Sequence, residues 1–169
     1  MTVTTLLEPI GIAGIGVALP ENRVDPWLEI GPAAGMDEAK LRDYLGCYQL
    51  PLAEAHESPS HFAVLAAKQA IAEAGIQTAE IDMVISNNIS ADYLDWQLSG
   101  CVAHALGIDK ATTFDIYAGC NSTGIAYETA LAMIRADESV DVVLIALSEH
   151  LGGGTFPQFI GDGGCAWIA

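Results

Sequence analysis

The sequence predicts an α/β fold built on a five-stranded mixed sheet with helices on both faces. Two observations carry that expectation. Short β-branched apolar runs alternate with longer segments of helical periodicity, the pattern of a mostly parallel sheet. The last two apolar runs, over 140–147 and 165–169, are separated by a glycine-rich stretch without helical pattern, so that pair is expected to be antiparallel. At 169 residues, 51% of them apolar, the chain is long enough for one core and one domain over 1–169.

The elements follow in order. Residues 10–19 (IGIAGIGVAL) are apolar, β-branched and glycine-interrupted, then stopped by Pro20, which reads as a buried strand. Their glycine spacing loosely approaches a dinucleotide fingerprint, but no helix follows, which excludes it. Residues 20–51 are irregular, with Pro26, Pro32 and Pro51 and a short helix over 37–44. Ser58-Pro59-Ser60 marks a helix start, serine capping and proline opening the first turn. That helix runs over 60–74, with Phe62, Leu65, Ala66 and Ala70 on one apolar face and Gly75 closing it. A strand over 82–89 precedes a helix over 97–106, closed by Gly107. A third strand over 113–117 runs through Ala118-Gly119 into Cys120 and a long helix to about Arg135. Taken alone, this set leaves one sheet edge and one sheet face uncovered, as half of a larger structure would.

Charge and cysteine content exclude several classes. Twenty-two acids against six bases give −16, and Arg23, Lys40, Arg42, Lys68, Lys110 and Arg135 are scattered. A nucleic-acid partner needs a basic footprint that this chain lacks. The acidity describes a solvated surface, and a polyanionic substrate would have to find its cations elsewhere. No apolar run reaches the length of a membrane span, and residues 1–8 lack a secretory signal. Cys47, Cys101, Cys120 and Cys165 show no CxxC spacing, so reduced thiols in the cytoplasm are expected. Cys101 and His104 stand at i, i+3 without further ligands nearby, so no metal site is expected.

Cys120 is the candidate catalytic residue. In an α/β unit, the carboxyl end of a strand and the start of the next helix meet at the ligand crevice. A thiol there is expected to face unpaired N–H groups and the positive dipole end of a helix starting near Asn121, which favour the nucleophilic thiolate. The same N–H groups would cradle an oxyanion during attack on an acyl group. Gly124, Ala126 and Ala130 are expected to let this helix pass close to neighbouring backbone.

Four stretches carry a resemblance: IAGIGVALPENRV; SHFAVLAAKQAIAEAGIQTAEIDMVI; LGIDKATTFDIYAGCNSTGIAYETALAMI; and VDVVLIALSEH followed by FIGDGGCAWIA. In this order they resemble the N-terminal half of thiolase-fold condensing enzymes, most closely the ketoacyl-acyl carrier protein synthase III group. The resemblance implies the N-terminal half of the thiolase-like fold and places Cys120 where that family keeps its acyl-accepting nucleophile. No permanently bound cofactor is implied; the acyl donor is an acyl carrier protein phosphopantetheine or coenzyme A thioester. The family's histidine and asparagine lie in its second half, and none of His56, His61, His104 or His150 matches them. A second polypeptide carrying the C-terminal half is therefore expected, in a dimer of such pairs.

The resemblance also assigns lesser residues. Trp96 matches a loop aromatic that reaches across a dimer into the neighbour's acyl pocket, with Tyr93 and Leu94 beside it, and residues 113–117 pair across the dimer axis. Asn121 and Ser122 either cap the helix or hydrogen-bond a polar acyl group. Asp162 reads as a turn former. The family's coenzyme A segment is poorly kept: with its glycine on Gly46, Lys40 and Tyr44 stand at the anchoring tryptophan and arginine positions and Arg42 is nearby. That departure favours an acyl carrier protein as donor and specialised polyketide or fatty-acid-type biosynthesis. Decarboxylative condensation, acyl transfer to oxygen or nitrogen, and hydroxymethylglutaryl-type synthesis (with Glu57 as its acid) remain open. So does a non-catalytic role as a structural or chain-length-determining partner subunit.

Overall fold

The computed structural model describes residues 9–28, 35, 37–151 and 161–169. Most of the glycine-rich stretch before the last strand, and part of the irregular segment around Pro32, lie outside the described residues. Strand β1 (Gly14–Ala18) is followed by a small antiparallel hairpin, β2 (Arg23–Val24) with β3 (Leu50–Pro51), and helix α1 (Glu38–Leu45) lies between the two hairpin strands in sequence. Then come α2 (Pro59–Ala74), β4 (Met83–Asn87), α3 (Leu98–Leu106), β5 (Thr112–Asp115), α4 (Ser122–Ala136), β6 (Val143–Glu149) and β7 (Gly163–Ile168). The main sheet has the order β1-β7-β6-β4-β5. Strands β5, β4 and β6 are parallel, while β7 is antiparallel to both β6 and β1.

The five-stranded mixed sheet and its antiparallel last pair are as the sequence predicts; the differences concern ends and the β2–β3 hairpin, which forms within the segment read as irregular. The first strand is five residues rather than ten, because only Gly14–Ala18 find a partner, in β7. The fourth predicted strand starts later, at Val143, because Asp82 holds the backbone N–H groups of Asp141 and Val142 at 2.9 and 3.0 Å before the ladder begins.

Helix α2 explains why β1 is rich in glycine. The Ser58 hydroxyl accepts from His61 N, Pro59 opens the first turn, and Gly75 ends the helix in the left-handed conformation. Its buried face is Phe62, Ala63, Ala66, Ala67, Ala70 and Ile71. These small side chains let β1 lie directly against the helix backbone: a Cβ on Gly16 would stand 1.9 Å from the Ala66 carbonyl oxygen, and one on Gly14 2.3 Å from that of Ala70. Burying Phe62 completely contributes about 2 kcal/mol to this layer.

Two hydrophobic clusters flank the sheet. On one face α2 and α3 pack on Val84, Leu144, Ala146, Ala166 and Ile168. On the other, Ala126 and Ala130 of α4 pack on Met83, Ile85, Val143, Ile145 and Leu147. Gly124 departs from expectation: a Cβ added there meets nothing within 4 Å, so Ala126 and Ala130 alone make the close helix–sheet approach. Helix α3 has no side-chain cap of its own; the Asp115 carboxylate at the end of β5 accepts from Leu98 N at 2.8 Å and Ser99 N at 2.9 Å. Asp115→Ala is expected to lower stability by about 1–2 kcal/mol, the usual worth of a helix cap, measured by urea denaturation; an unchanged midpoint would contradict this role.

Candidate active site

The parallel strands β5, β4 and β6 end on the same side of the sheet, and the chain leaving β5 turns there towards α4. Ile116 continues the ladder by donating its N–H to Ser86 O at 2.9 Å. Asn87 at the end of β4 donates its side-chain N–H to Ile116 O, holding the same segment from the side. Ala118 N donates to the Ser122 hydroxyl at 2.8 Å, and Gly119 takes a φ of 57°, a left-handed turn that suits glycine. A single 3₁₀ turn, Gly119–Asn121, then carries Cys120 to the surface immediately before α4. Cys120 is the exposed member of four free cysteines.

This turn corrects the expected supply of unpaired N–H groups. Asn121 N donates to Ala118 O at 3.3 Å and Ser122 N donates to Gly119 O, so the amides just after Cys120 are satisfied by the turn itself. Asn121 makes no capping hydrogen bond with its side chain, and Ser122 uses its hydroxyl to tie back the approach to Cys120.

Cys120 opens onto a cleft of about 400 Å³. Thr123 in the first turn of α4 flanks it, and Pro51, Leu151 and Asp162 form its rim. Its floor is the α4-facing side of the sheet, where Val17, Cys165, Leu147 and Asn87 lie in one cross-strand row, each paired with the next. Among the described residues two acids line the cleft, Glu149 and Asp162, and no Lys, Arg or His does. Both carboxylates are committed to backbone. Glu149 accepts from Ile89 N at 2.7 Å, Ser90 N at 3.1 Å and the Ser90 hydroxyl at 3.0 Å. Asp162, 1% exposed, accepts from Ala53 N at 2.8 Å and Leu151 N at 2.7 Å.

Asp162 is therefore more than a turn former: it is a buried clamp joining the β3 side of the rim to the end of β6. Asp162→Ala strands both amides and is expected to cost about 2–4 kcal/mol of stability, read by urea denaturation; a loss below about 0.5 kcal/mol would contradict the clamp. Burial pushes the Cys165 thiol above its ordinary range, so at neutral pH it is a protonated part of the floor. Tyr117 is also pushed up, first by burial and then by the negative charges of Asp115 and Glu149.

The other candidate residues fall elsewhere. Tyr93 and Trp96 stack edge to face at 5.3 Å and line a separate groove against Phe114, Asp115 and Tyr117, along the free edge of β5. Asn121 lines a shallow groove on the outer face of α4 with Gly124, Ile125 and Met133. Glu57 accepts from Glu54 N and takes no part in the cleft, and neither does any of the four histidines. Asn87, Glu149 and Cys165 are cleft residues that the motifs did not single out. Strand alternation places each on a face, but only the strand register brings them together. Among the described residues no group of three or more His, Cys, Asp or Glu is placed to hold a metal.

The segment expected to handle coenzyme A carries no free guanidinium. Arg42 donates to Asp25 at 2.8 Å and to Glu38 at 2.6 Å, and stacks over the Tyr48 ring at 4.9 Å. These partners raise Arg42 far above its ordinary range and hold Asp25 below its own, the Arg42 hydrogen bond being the largest cause for Asp25. Lys40 pairs with Asp37 at 3.1 Å.

No protein-family model matches the chain. It is 32% identical over 114 residues to the β-ketoacyl-acyl-carrier-protein synthase III of Symbiobacterium thermophilum, a match covering 68% of this chain and 34% of that protein. A Nostoc protein of the same name is 32% identical over 136 residues, covering 80% and 41%. The priming β-ketosynthase of the R1128 polyketide biosynthetic pathway superposes with a TM-score of 0.84 at 24% identity, over 97% of this chain and 52% of that one. The chain spans less than half the length of the curated relatives it matches. In sequence and in fold it is a thiolase-fold, ketoacyl-acyl carrier protein synthase III-like chain, and the partial coverage fits the N-terminal half of that architecture.

Proposed function

We propose that this chain is the nucleophile-bearing half of a condensing or acyl-transferring enzyme, in which Cys120 accepts an acyl group from a carrier-bound thioester. The observation that carries the reading is an exposed thiol at the start of α4, opening onto an apolar-floored cleft at the carboxyl ends of a parallel sheet. The Cys120 sulfur attacks the thioester carbonyl; a new carbon–sulfur bond forms, the bond to the carrier sulfur breaks, and the carrier leaves as a thiol. The positive end of the α4 dipole faces the developing negative charge. Since Glu149 and Asp162 are both bound to backbone amides, and the amides just after Cys120 are satisfied by the turn, the base and the oxyanion donors come from a second thiolase-like half carried on another polypeptide.

An uncovered surface supports that partner. On the α4-facing side of β1, outside the cleft, Ile15 is 54% exposed, and beside it the Trp167 indole N–H is buried without an acceptor among the described residues. The free β5 edge, with Leu94 94% exposed and Tyr93 and Trp96 next to it, supports a dimer of such pairs. Because Arg42 is paired with Asp25 and Glu38 and Lys40 stands beside Asp37, the donor's phosphates would meet a carboxylate next to each of these cations. The reading therefore favours an acyl carrier protein docked through cations of the partner over coenzyme A. The four free cysteines suit a cytoplasmic setting, and no helix among the described residues is long and apolar enough to cross a membrane.

The direct test is incubation with an acyl N-acetylcysteamine thioester, with any co-purifying polypeptide present, followed by peptide mass mapping. An acyl adduct on Cys120 is expected. No adduct would favour the alternative of a structural or chain-length-determining subunit, which the backbone-bound carboxylates of the cleft also suit. For the partner, Ile15→Arg on the exposed α4-facing side of β1 is expected to leave this chain folded but to break the complex in sedimentation. A wild-type chain that is monodisperse and monomeric would contradict it.

A further inference from the structure

We propose that Cys165 sets how long an acyl chain can be seated on Cys120, acting as the step between the open and the closed part of the cleft floor. The inference rests on the acyl-acceptor reading of Cys120 and adds to it the residue that selects the acyl group.

Three cross-strand rows on the α4-facing side of the sheet carry the argument. The outer row passes through Gly163 on β7 and its partner Glu149 on β6, with Leu19 packed against the glycine and Ile89 beyond; all four line the cleft. The middle row is Val17, Cys165, Leu147 and Asn87, and all four line it too. The inner row is Ile15, Trp167, Ile145 and Ile85, and none of these reaches it. Along β7 the side chain on this face thus grows from hydrogen at Gly163 to a mercaptomethyl at Cys165 to an indolylmethyl at Trp167. Cys165 is therefore the innermost β7 side chain on this face that lines the cleft.

Its neighbours leave it that role. Leu147 is 9% exposed and packed in the core beneath α4, and Asn87 is held by its bond to Ile116 O. Neither can move aside without disturbing the sheet or the approach to Cys120. Cys165 has one rotatable side-chain bond and no hydrogen-bonding duty among the described contacts. A change of its volume passes directly into the space available to an acyl chain. At neutral pH its thiol is held protonated by burial, so it forms part of the wall without competing with Cys120 as an acceptor.

The test uses the full chain with whatever polypeptide co-purifies, and a series of straight-chain acyl N-acetylcysteamine thioesters increasing by one carbon. The rate of adduct formation on Cys120 is measured by peptide mass mapping. Cys165→Gly is expected to lengthen the longest chain accepted by one or two carbons, raising the rate for the first excluded chain roughly tenfold. Cys165→Leu is expected to lower the rate for the longest accepted chain by a similar factor and leave the shortest unaffected. Should Cys165→Leu misfold, the Cys165→Gly profile decides alone. Cys120 adducts with the wild-type length profile in Cys165→Gly would overturn the inference. No Cys120 adduct with any donor would overturn the acyl-acceptor reading and this inference with it.

Discussion

Cys120→Ala is expected to abolish acyl transfer, lowering turnover of the assembled enzyme by at least about 10³-fold while leaving the chain folded. The two halves of that expectation have separate physical causes. In the proposed reaction the Cys120 sulfur is the atom that forms the new bond. Cys165, which shares the cleft, is held protonated by burial, and Cys47 and Cys101 do not line the cleft. Stability is untouched because the side chain is exposed and the turn is held by other residues. Asn87 grips Ile116, Ser122 grips Ala118, and Gly119 supplies the left-handed bend. A surface truncation of this kind falls within about 0.5 kcal/mol. Turnover is read with the partner present, and folding by urea denaturation. Retained turnover above about a tenth of wild type would remove Cys120 from the chemistry.

Gly16→Ala is expected to have the largest effect on folding. The added methyl would stand 1.9 Å from the Ala66 carbonyl oxygen, and its three nearest atoms are all α2 backbone, which leaves no flexible atom to yield. Strand β1 would have to lift from α2 or slide against β7, and either opens the layer containing Phe62, Ala63 and Ala70. Overpacking of this severity costs upwards of about 3 kcal/mol. In a domain of this size that corresponds to a fall of roughly 6–12 °C in Tm. Gly11→Ala is the control: its Cβ would meet nothing within 4 Å, and the melting temperature should stay within a degree or two. Equal melting curves for both variants would show that β1 does not bear on α2 as closely as described.

Much of this architecture is legible in the sequence for identifiable reasons. Ser58-Pro59 and Gly75 bracket α2 because capping is local chemistry that leaves its mark in residue type. The Ala118-Gly119-Cys120 turn is readable because a strand cannot pass into a helix so sharply without a residue that tolerates positive φ. The cleft floor is not readable in that way. Val17, Cys165, Leu147 and Asn87 meet through strand register between distant segments, and no single stretch contains that register. The work of Asp162 and Asp115 is likewise invisible locally, since each accepts from amides far along the chain. The expected free N–H groups after Cys120 failed for the opposite reason. A 3₁₀ turn before the helix is a small adjustment that sequence pattern does not distinguish from a direct helix start, and it uses those donors.

The most direct measurement is competitive labelling of the four cysteines with iodoacetamide at neutral pH, with and without prior incubation with an acyl thioester. Cys120 is predicted to react first, ahead of Cys165 by more than about tenfold, and to be protected by the thioester while the others are not. Labelling that begins at another cysteine, or a Cys120 rate indifferent to the thioester, would contradict the placement of an acyl-accepting thiol at the mouth of this cleft.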